Sequence, residues 1–320
     1  MGTRRSINDP AARAQFTRAC SILDDMMSGI TVGQAATAFR NSVPGLRFVG
    51  VDQELSYYDL FALWHVVAMS RPTGAPRQNE AHGGPIFLPW HRHFMILLEQ
   101  WMQFVLDDQD FGIPYWDWAA DGDLPPSMQW RTGMWDGLGP SRGAVTTGDL
   151  STMRVRIWQN PQTGQVHSLR NPRPIEREAG QYRDLWGRGL PTSNSVAVAM
   201  QQPAYGQRPW SYDGAGHRPV LEGWNPANPA LPVDLHNLVH VWTGGDMAPG
   251  TSPNDPVFFL NHCNVDRIWE AWMVDNGRSY SPPAGHRADS AMFTLFTQAR
   301  TPADVLDASP WYTYDSLQVS

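Results

Sequence analysis

The chain has 320 residues, 42% of them hydrophobic and 17% charged, enough to bury a sizeable core and too apolar for a disordered chain. Net charge is −7 with no basic stripe, which argues against nucleic acid or an anionic membrane as a partner. No run reaches the ~18 apolar residues of a membrane span. Met1-Gly2-Thr3-Arg4-Arg5 leads into polar sequence without an apolar signal region, so a cytoplasmic protein, or one exported with a partner, is expected.

Asn8-Asp9-Pro10 reads as a helix cap followed by proline at the first helical position, opening a helix to about Met27. Ser56 and Asp59 have capping-box spacing and open a helix to about Met69. After Pro89 a helix is predicted from about His91 to Leu106, with an apolar stripe of Met95, Leu98, Met102 and Val105. Residues 119–216 are rich in Gly, Pro, Arg and Trp with weak periodicity. They read as a loop-rich arm with short elements, wrapped on the core and ordered by its tryptophans. A short helix is predicted from Val233 to Trp242, stopping at Gly244-Gly245. Asp255-Pro256 opens another to about Val274, with Phe258, His262, Val265, Trp269 and Trp272 facing inward, and a last short helix is predicted near Ala291 to Gln298. The expected fold is a mainly α single domain over residues 1–320, built on a helical bundle core with long wrapping loops.

Composition narrows the chemistry. Cys20 and Cys263 are the only cysteines, too few for a disulfide scaffold or a sulfur-ligated metal site; both read as buried thiols. There is no lysine among the 24 basic residues, which reads as arginine codon usage.

Of the ten histidines, six fall on the two helix clusters. His236 and His240 are spaced i, i+4 on one helical face, the spacing two ligands of one metal need. Position 237 is Asn, so the base of a zinc protease is missing. His262 lies on the inward stripe of the next helix, His65 shares a face with Phe61 and Ala68, His91 is in register with Met95, and His82 sits in the Gly-rich loop between those two helices. Two sets of three imidazoles describe a dinuclear site. Neutral imidazoles suit copper, zinc and nickel rather than hard ions. On the residues alone, six separate structural histidines remain the alternative. His93, two positions after His91, reads as a surface or packing residue, and His217 as a candidate for the entrance.

Longer blocks surround these histidines. His82-Gly83-Gly84-Pro85-Ile86-Phe87-Leu88-Pro89-Trp90-His91-Arg92 resembles the CuA signature of the tyrosinase family of type 3 copper proteins. Ser252 to His262, followed by Val265-Asp266-Arg267-Ile268-Trp269, resembles its CuB signature. Pro114-Tyr115-Trp116-Asp117-Trp118 and the tail motif Tyr312-Thr313-Tyr314-Asp315 are similar to further family blocks. The resemblance implies a four-helix bundle carrying a dinuclear copper site, with a CuA half at about 56–118 and a CuB half at about 221–275. His65, His82 and His91 would hold CuA, and His236, His240 and His262 would hold CuB. The implied activity is a phenol oxidase that uses O2 to hydroxylate monophenols or oxidise o-diphenols to o-quinones. An o-aminophenol oxidase or a catechol oxidase without hydroxylase activity are alternatives, and an oxygen carrier of hemocyanin type a distant one. The partners implied are a small phenolic or aminophenolic substrate and a copper-delivery helper protein.

The resemblance also implies that Glu222 and Asn237 hold a water that takes the phenol proton, and that Phe87 packs beside the copper ligands. Val241 stands where some members carry Arg, and Gly250 is expected on a loop facing the site, leaving the entrance open. Several positions depart from the family pattern. The segment between Glu222 and His236, with its Pro- and Asn-rich stretch Asn225 to Asp234, is longer than expected for bacterial members, Asn261 replaces a frequent histidine, and Glu80 stands where fungal members place a thioether cysteine. Little chain follows the copper blocks, so no shielding domain is expected.

Overall fold

The computed structural model describes residues 1–43, 45–73, 77–181, 189–224, 233–282 and 286–319. Most of the segment Asn225 to Asp234 therefore lies outside the described residues. The helices, in chain order, are α1 (Pro10–Asp25), α2 (Val32–Phe39), α3 (Tyr57–Met69), α4 (Phe87–Leu106), α5 (Trp118–Gly122), α6 (Ser193–Met200), α7 (His217–Glu222), α8 (Leu235–Thr243), α9 (Val257–Asn276) and α10 (Pro302–Val305). The strands are β1 (Gly2–Arg4), β2 (Met27–Thr31), β3 (Phe48–Gly50), β4 (Glu54–Ser56), β5 (Arg142–Ala144), β6 (Val155–Gln159), β7 (Val166–Arg173), β8 (Glu176–Glu178) and β9 (Tyr312–Tyr314).

The caps act as their chemistry requires. Asp9 accepts from the amides of Ala11 and Ala12, with Pro10 in the first turn of α1. Ser56 and Asp59 form a reciprocal capping box that starts α3. Asp255 accepts from the amide of Val257 at the start of α9. Helix α4 begins at Phe87, four residues before the predicted start. Pro89 fits inside its first turn because amides there have no helical partner to lose.

Helices α3, α4, α8 and α9 form the bundle. Trp64 of α3 packs on Phe94 of α4 at 4.7 Å between ring centroids, and Phe94 stacks on Phe259 of α9 at 5.8 Å. Helix α9 is buried on every side from Val257 to Met273, not only along the predicted stripe. A smaller cluster around Leu55, Leu63, Val66, Ile157 and Val166 seats a three-stranded sheet, ordered β3-β7-β6, against α3.

The arm holds more strand than predicted. Besides α5 and α6 it contributes the antiparallel pair β6–β7 and the pair β5–β8. Its anchors are aromatic and ionic. Trp135 meets Trp116 at 5.8 Å, and Arg177 grips Asp255 through two bonds of 2.7 and 2.8 Å just ahead of α9. Arg183 and Arg188 lie outside the described residues.

The predicted helix at Ala291 to Gln298 does not form. The carbonyl of Phe293 points inward and accepts the indole N–H groups of Trp64 and Trp90, at 3.2 and 2.9 Å. A helical segment would turn that oxygen along its own axis, leaving two buried donors unsatisfied. The short helix stands later, at Pro302–Val305, where Thr301 and Asp304 supply a capping box.

Both ends of the described chain meet on Asp266 of α9. Its carboxylate accepts from Arg4, Arg92 and the hydroxyls of Tyr312 and Tyr314. The two guanidinium groups hold its pKa below the usual carboxylate value despite burial.

Candidate metal centre

The six histidines converge as two triads. His65, His82 and His91 form one, and His236, His240 and His262 the other; within each, one ligating atom per residue lies within 4.8 Å of the others. His65 comes from the middle of α3, His91 from the first turn and a half of α4, and His82 from the loop between them. His236 and His240 lie on α8 and His262 on α9. The triads abut: the rings of His91 and His262 stack at 4.2 Å, and His82 faces His236 at 5.9 Å. Phe87 lies against His91 and His236, at 4.9 Å from each, while Phe258 packs on His65 and His262 at 5.0 and 4.2 Å.

Backbone carbonyls orient the rings. Nδ1 of His65 donates to Gly250 O (2.7 Å), that of His91 to Phe87 O (2.8 Å) and that of His240 to Met247 O (2.7 Å). A carbonyl only accepts, so Nδ1 carries the proton and Nε2 is left as a free lone pair. The Nε2 atoms of His65, His91 and His240 are buried with no hydrogen-bond partner. Nδ1 of His236 lies 3.2 Å from Glu222 O and 3.0 Å from Asn237 Oδ1, and its Nε2 is 3.1 Å from Nε2 of His262.

Burial, reinforced by neighbouring imidazoles at every one but His240, lowers the pKa of all six: His65 to about 3, His240 to about 4, and the other four well below the usual value. Near pH 7 the centre is six neutral nitrogen donors, three of them with stranded buried lone pairs. That donor set fits a pair of copper ions and poorly suits hard cations.

The remaining candidates divide. Phe87 is fully buried among the ligands. Val241 is half-buried on α8. Gly250 does not open an entrance: it is buried, and an added Cβ would stand 2.4 Å from Gln159 Oε1 and 3.3 Å from Val66. His217 does not line one either. It is fully buried, stacked on Trp272 at 4.7 Å with Nδ1 donating to Ala199 O. His93 is a packing residue rather than a surface one, buried against the edge of Trp64.

Glu222 is fully buried at the end of α7. Its Oε2 accepts from Arg218 Nη1 at 2.8 Å and its Oε1 from the amide of Gly83 at 2.6 Å. Burial raises its pKa, and Arg218 and the Gly83 amide oppose the rise. Asn237 spends Oδ1 on His236, and its Nδ2 is buried without a partner. Arg218 and the three carbonyl acceptors of Gly250, Phe87 and Met247 were not read from the sequence. Arg218 carried a signal, its i, i+4 spacing to Glu222.

The description "Common central domain of tyrosinase" matches residues 55–275, which span both triads. The chain is 36% identical to a tyrosinase of Streptomyces lincolnensis over 265 residues, 81% of this chain and 89% of the relative. It is 32% identical to the grixazone synthase of Streptomyces griseus over 282 residues, 81% of this chain and 90% of that protein. Among solved structures, a variant of the polyphenol oxidase from Thermothelomyces thermophila superimposes with a TM-score of 0.66 at 19% identity, covering 99% of this chain and 89% of that one. Two adjoining triads of neutral imidazoles on a helical core, inside a matched region covering most of the chain, place this chain in the tyrosinase family of dicopper phenol oxidases.

Proposed function

We propose that His65, His82 and His91 hold one copper and His236, His240 and His262 the other, within a single copper domain. We further propose that the enzyme hydroxylates monophenols as well as oxidising o-diphenols. The observation that carries the metal assignment is the free Nε2 set described above, fixed by carbonyls on the opposite ring nitrogens. When bound, the copper pair supplies the two-electron redox chemistry by which dioxygen oxidises the phenol.

The rest falls to the side chains. Phe87 and Phe258 wall the imidazoles and keep bulk water from them. A phenol with a pKa of about 10 must give up its proton to become an anionic ligand. Glu222 and Asn237 are proposed to hold the water that takes it. Each Glu222 oxygen accepts one described hydrogen bond, and a carboxylate offers about four lone-pair sites in all. The unpartnered Nδ2 of Asn237 supplies the opposing donor.

The substrate is a small phenol or aminophenol. Four of the six proposed ligands, His65, His91, His236 and His262, are buried, and His82 and His240 are partly buried, which favours copper delivery by a helper protein over free exchange. No helix among the described residues is long and apolar enough to cross a membrane.

The test is a side-by-side rate comparison on a monophenol, its catechol and the matching o-aminophenol, for the parent and Glu222→Gln. One positioned acid–base group contributes about 10²–10⁴-fold. The variant should lose that factor on the monophenol and far less on the catechol. Equal losses on both would remove Glu222 from proton transfer, and a parent inactive on the monophenol would leave a catechol or aminophenol oxidase.

A further inference from the structure

The loop that carries His82 has few side-chain anchors of its own. Asn79 Oδ1 accepts the amides of Ala81 and His82, which shapes the turn locally. Gly83 has φ +76°, and a Cβ there would stand 2.1 Å from Arg77 O, so the next residue offers only backbone. Long-range bonds hold the loop on both sides, from Gln78 Nε2 to Trp210 O and from the Tyr205 hydroxyl to Pro85 O, and the one next to His82 comes from the other half of the centre, through the Gly83 amide bonded to Glu222 Oε1.

Glu222 also reaches the second triad. Its carbonyl is 3.2 Å from Nδ1 of His236. One residue therefore touches the His82 loop with its carboxylate and orients His236 with its backbone. Arg218, one helical turn back, holds the free end of that carboxylate with Nη1 and donates Nη2 to Ser211 O at 2.6 Å. Both side chains of the pair are 1% exposed.

We propose that Arg218 is a positioning residue: acting through Glu222, it fixes where His82 stands opposite His236 and so sets the spacing of the two metal subsites. The guanidinium fork is suited to this because its two arms reach Glu222 and the arm backbone at once, which a single ammonium point charge does not reproduce. Breaking a buried pair by removing one partner leaves an unpaired charge that must find water or move, whereas removing both charges together leaves neither stranded. The strut differs from the proton-transfer role proposed for Glu222, because it acts on ligand placement before any substrate arrives. It rests on the reading that His82 is a copper ligand.

The experiment uses metal-free full-length chain in four forms: parent, Arg218→Met, the double variant Arg218→Met/Glu222→Gln, and His82→Ala. Copper binding is measured by equilibrium dialysis against a competing chelator, and thermal unfolding of each metal-free form is followed by circular dichroism. The parent should bind two coppers. Arg218→Met should keep one at parental affinity and bind the other about 10–100-fold more weakly, the range for loss of a residue that orients a ligand. The double variant should regain most of that loss, since the new amide oxygen still accepts from Gly83 N and no charge is stranded. Parental affinity at both sites in Arg218→Met would overturn the proposal. So would equal weakening of both sites together with a lower unfolding temperature, the mark of a general packing role, or a double variant no better than the single. His82→Ala should lose the same copper. If it binds two coppers as the parent does, the ligand assignment fails, and that failure is distinct from failure of the strut.

Discussion

The Nδ1 atom of His65 lies 2.7 Å from the carbonyl oxygen of Gly250, a bond from the centre of α3 to a loop 185 residues later in the chain. It fixes the tautomer of the ring and turns a bare Nε2 toward its triad. The loop is held in turn by Gln159 of β6, whose Oε1 accepts the Gly250 amide at 2.8 Å.

Gly250→Ala tests that chain of contacts. The new methyl would collide with Gln159 Oε1 at 2.4 Å, so either the Gln159 bond or the carbonyl position gives way. Copper affinity should fall by about 10–100-fold at the His65 subsite. Adding Gln159→Ala should recover part of it by making room. Unchanged affinity in the single variant would show that the carbonyl does not orient His65.

His262→Ala should reduce copper from two per chain to one or none, read by elemental analysis after dialysis. The residue is buried, and its Nε2 is 3.1 Å from that of His236, so no surface group can substitute for it. Full copper occupancy in the variant, or one zinc in the parent, would contradict the ligand set.

Acid should destabilise the metal-free protein, partly through His217. Burial lowers its folded-state pKa to about 4, offset in part by the bond to Ala199 O. The unfolded chain takes up a proton below about pH 6.5, while the folded chain resists until about 4. Stability is therefore lost as pH falls from about 6.5 to 4, at about 1.4 kcal/mol per pH unit for this one group. His217→Gln should flatten the pH dependence of the urea midpoint in that window. An unchanged slope would mean that the ring is protonated in the fold.

The absence of lysine has a consequence for a quinone-releasing enzyme, because quinones are electrophiles that amines and thiols attack. Cys20 and Cys263 are fully buried, and burial raises the pKa of both thiols. Arg131 and Arg170 of the arm are exposed. Arg131→Lys with Arg170→Lys should inactivate faster per turnover and gain adduct mass by mass spectrometry. Equal inactivation and equal mass would show that lysine absence confers no resistance.

The helices bearing the histidines were legible because their caps are local and their ligands repeat with the helical period. Ser56 and Asp59, and His236 and His240, carry that information within a few residues. The acceptors of the ring protons were not legible, since a carbonyl at Gly250, Phe87 or Met247 has no side-chain signature. The tail was misread for the same reason. Ala291 to Gln298 looks helical locally, yet Trp64 and Trp90 claim the Phe293 carbonyl from more than 200 positions away. Gly250 was read as an opening because a missing side chain signals space in sequence; in the fold Gln159 fills that space.

Strand β1 runs parallel to β9, with Gly2 opposite Tyr312 and Arg4 opposite Tyr314. Arg4 and Tyr314, 310 positions apart, both bond Asp266, one turn beyond His262. Contacts of that sequence separation form late, because the loop they close is nearly the whole chain. Arg4 leaves the ribosome 262 residues ahead of Asp266 and 310 ahead of Tyr314, so it is the member of this cluster that waits longest for its partners. The helix bearing His262 therefore receives its tyrosine donors only after all six histidines of the two triads have been made.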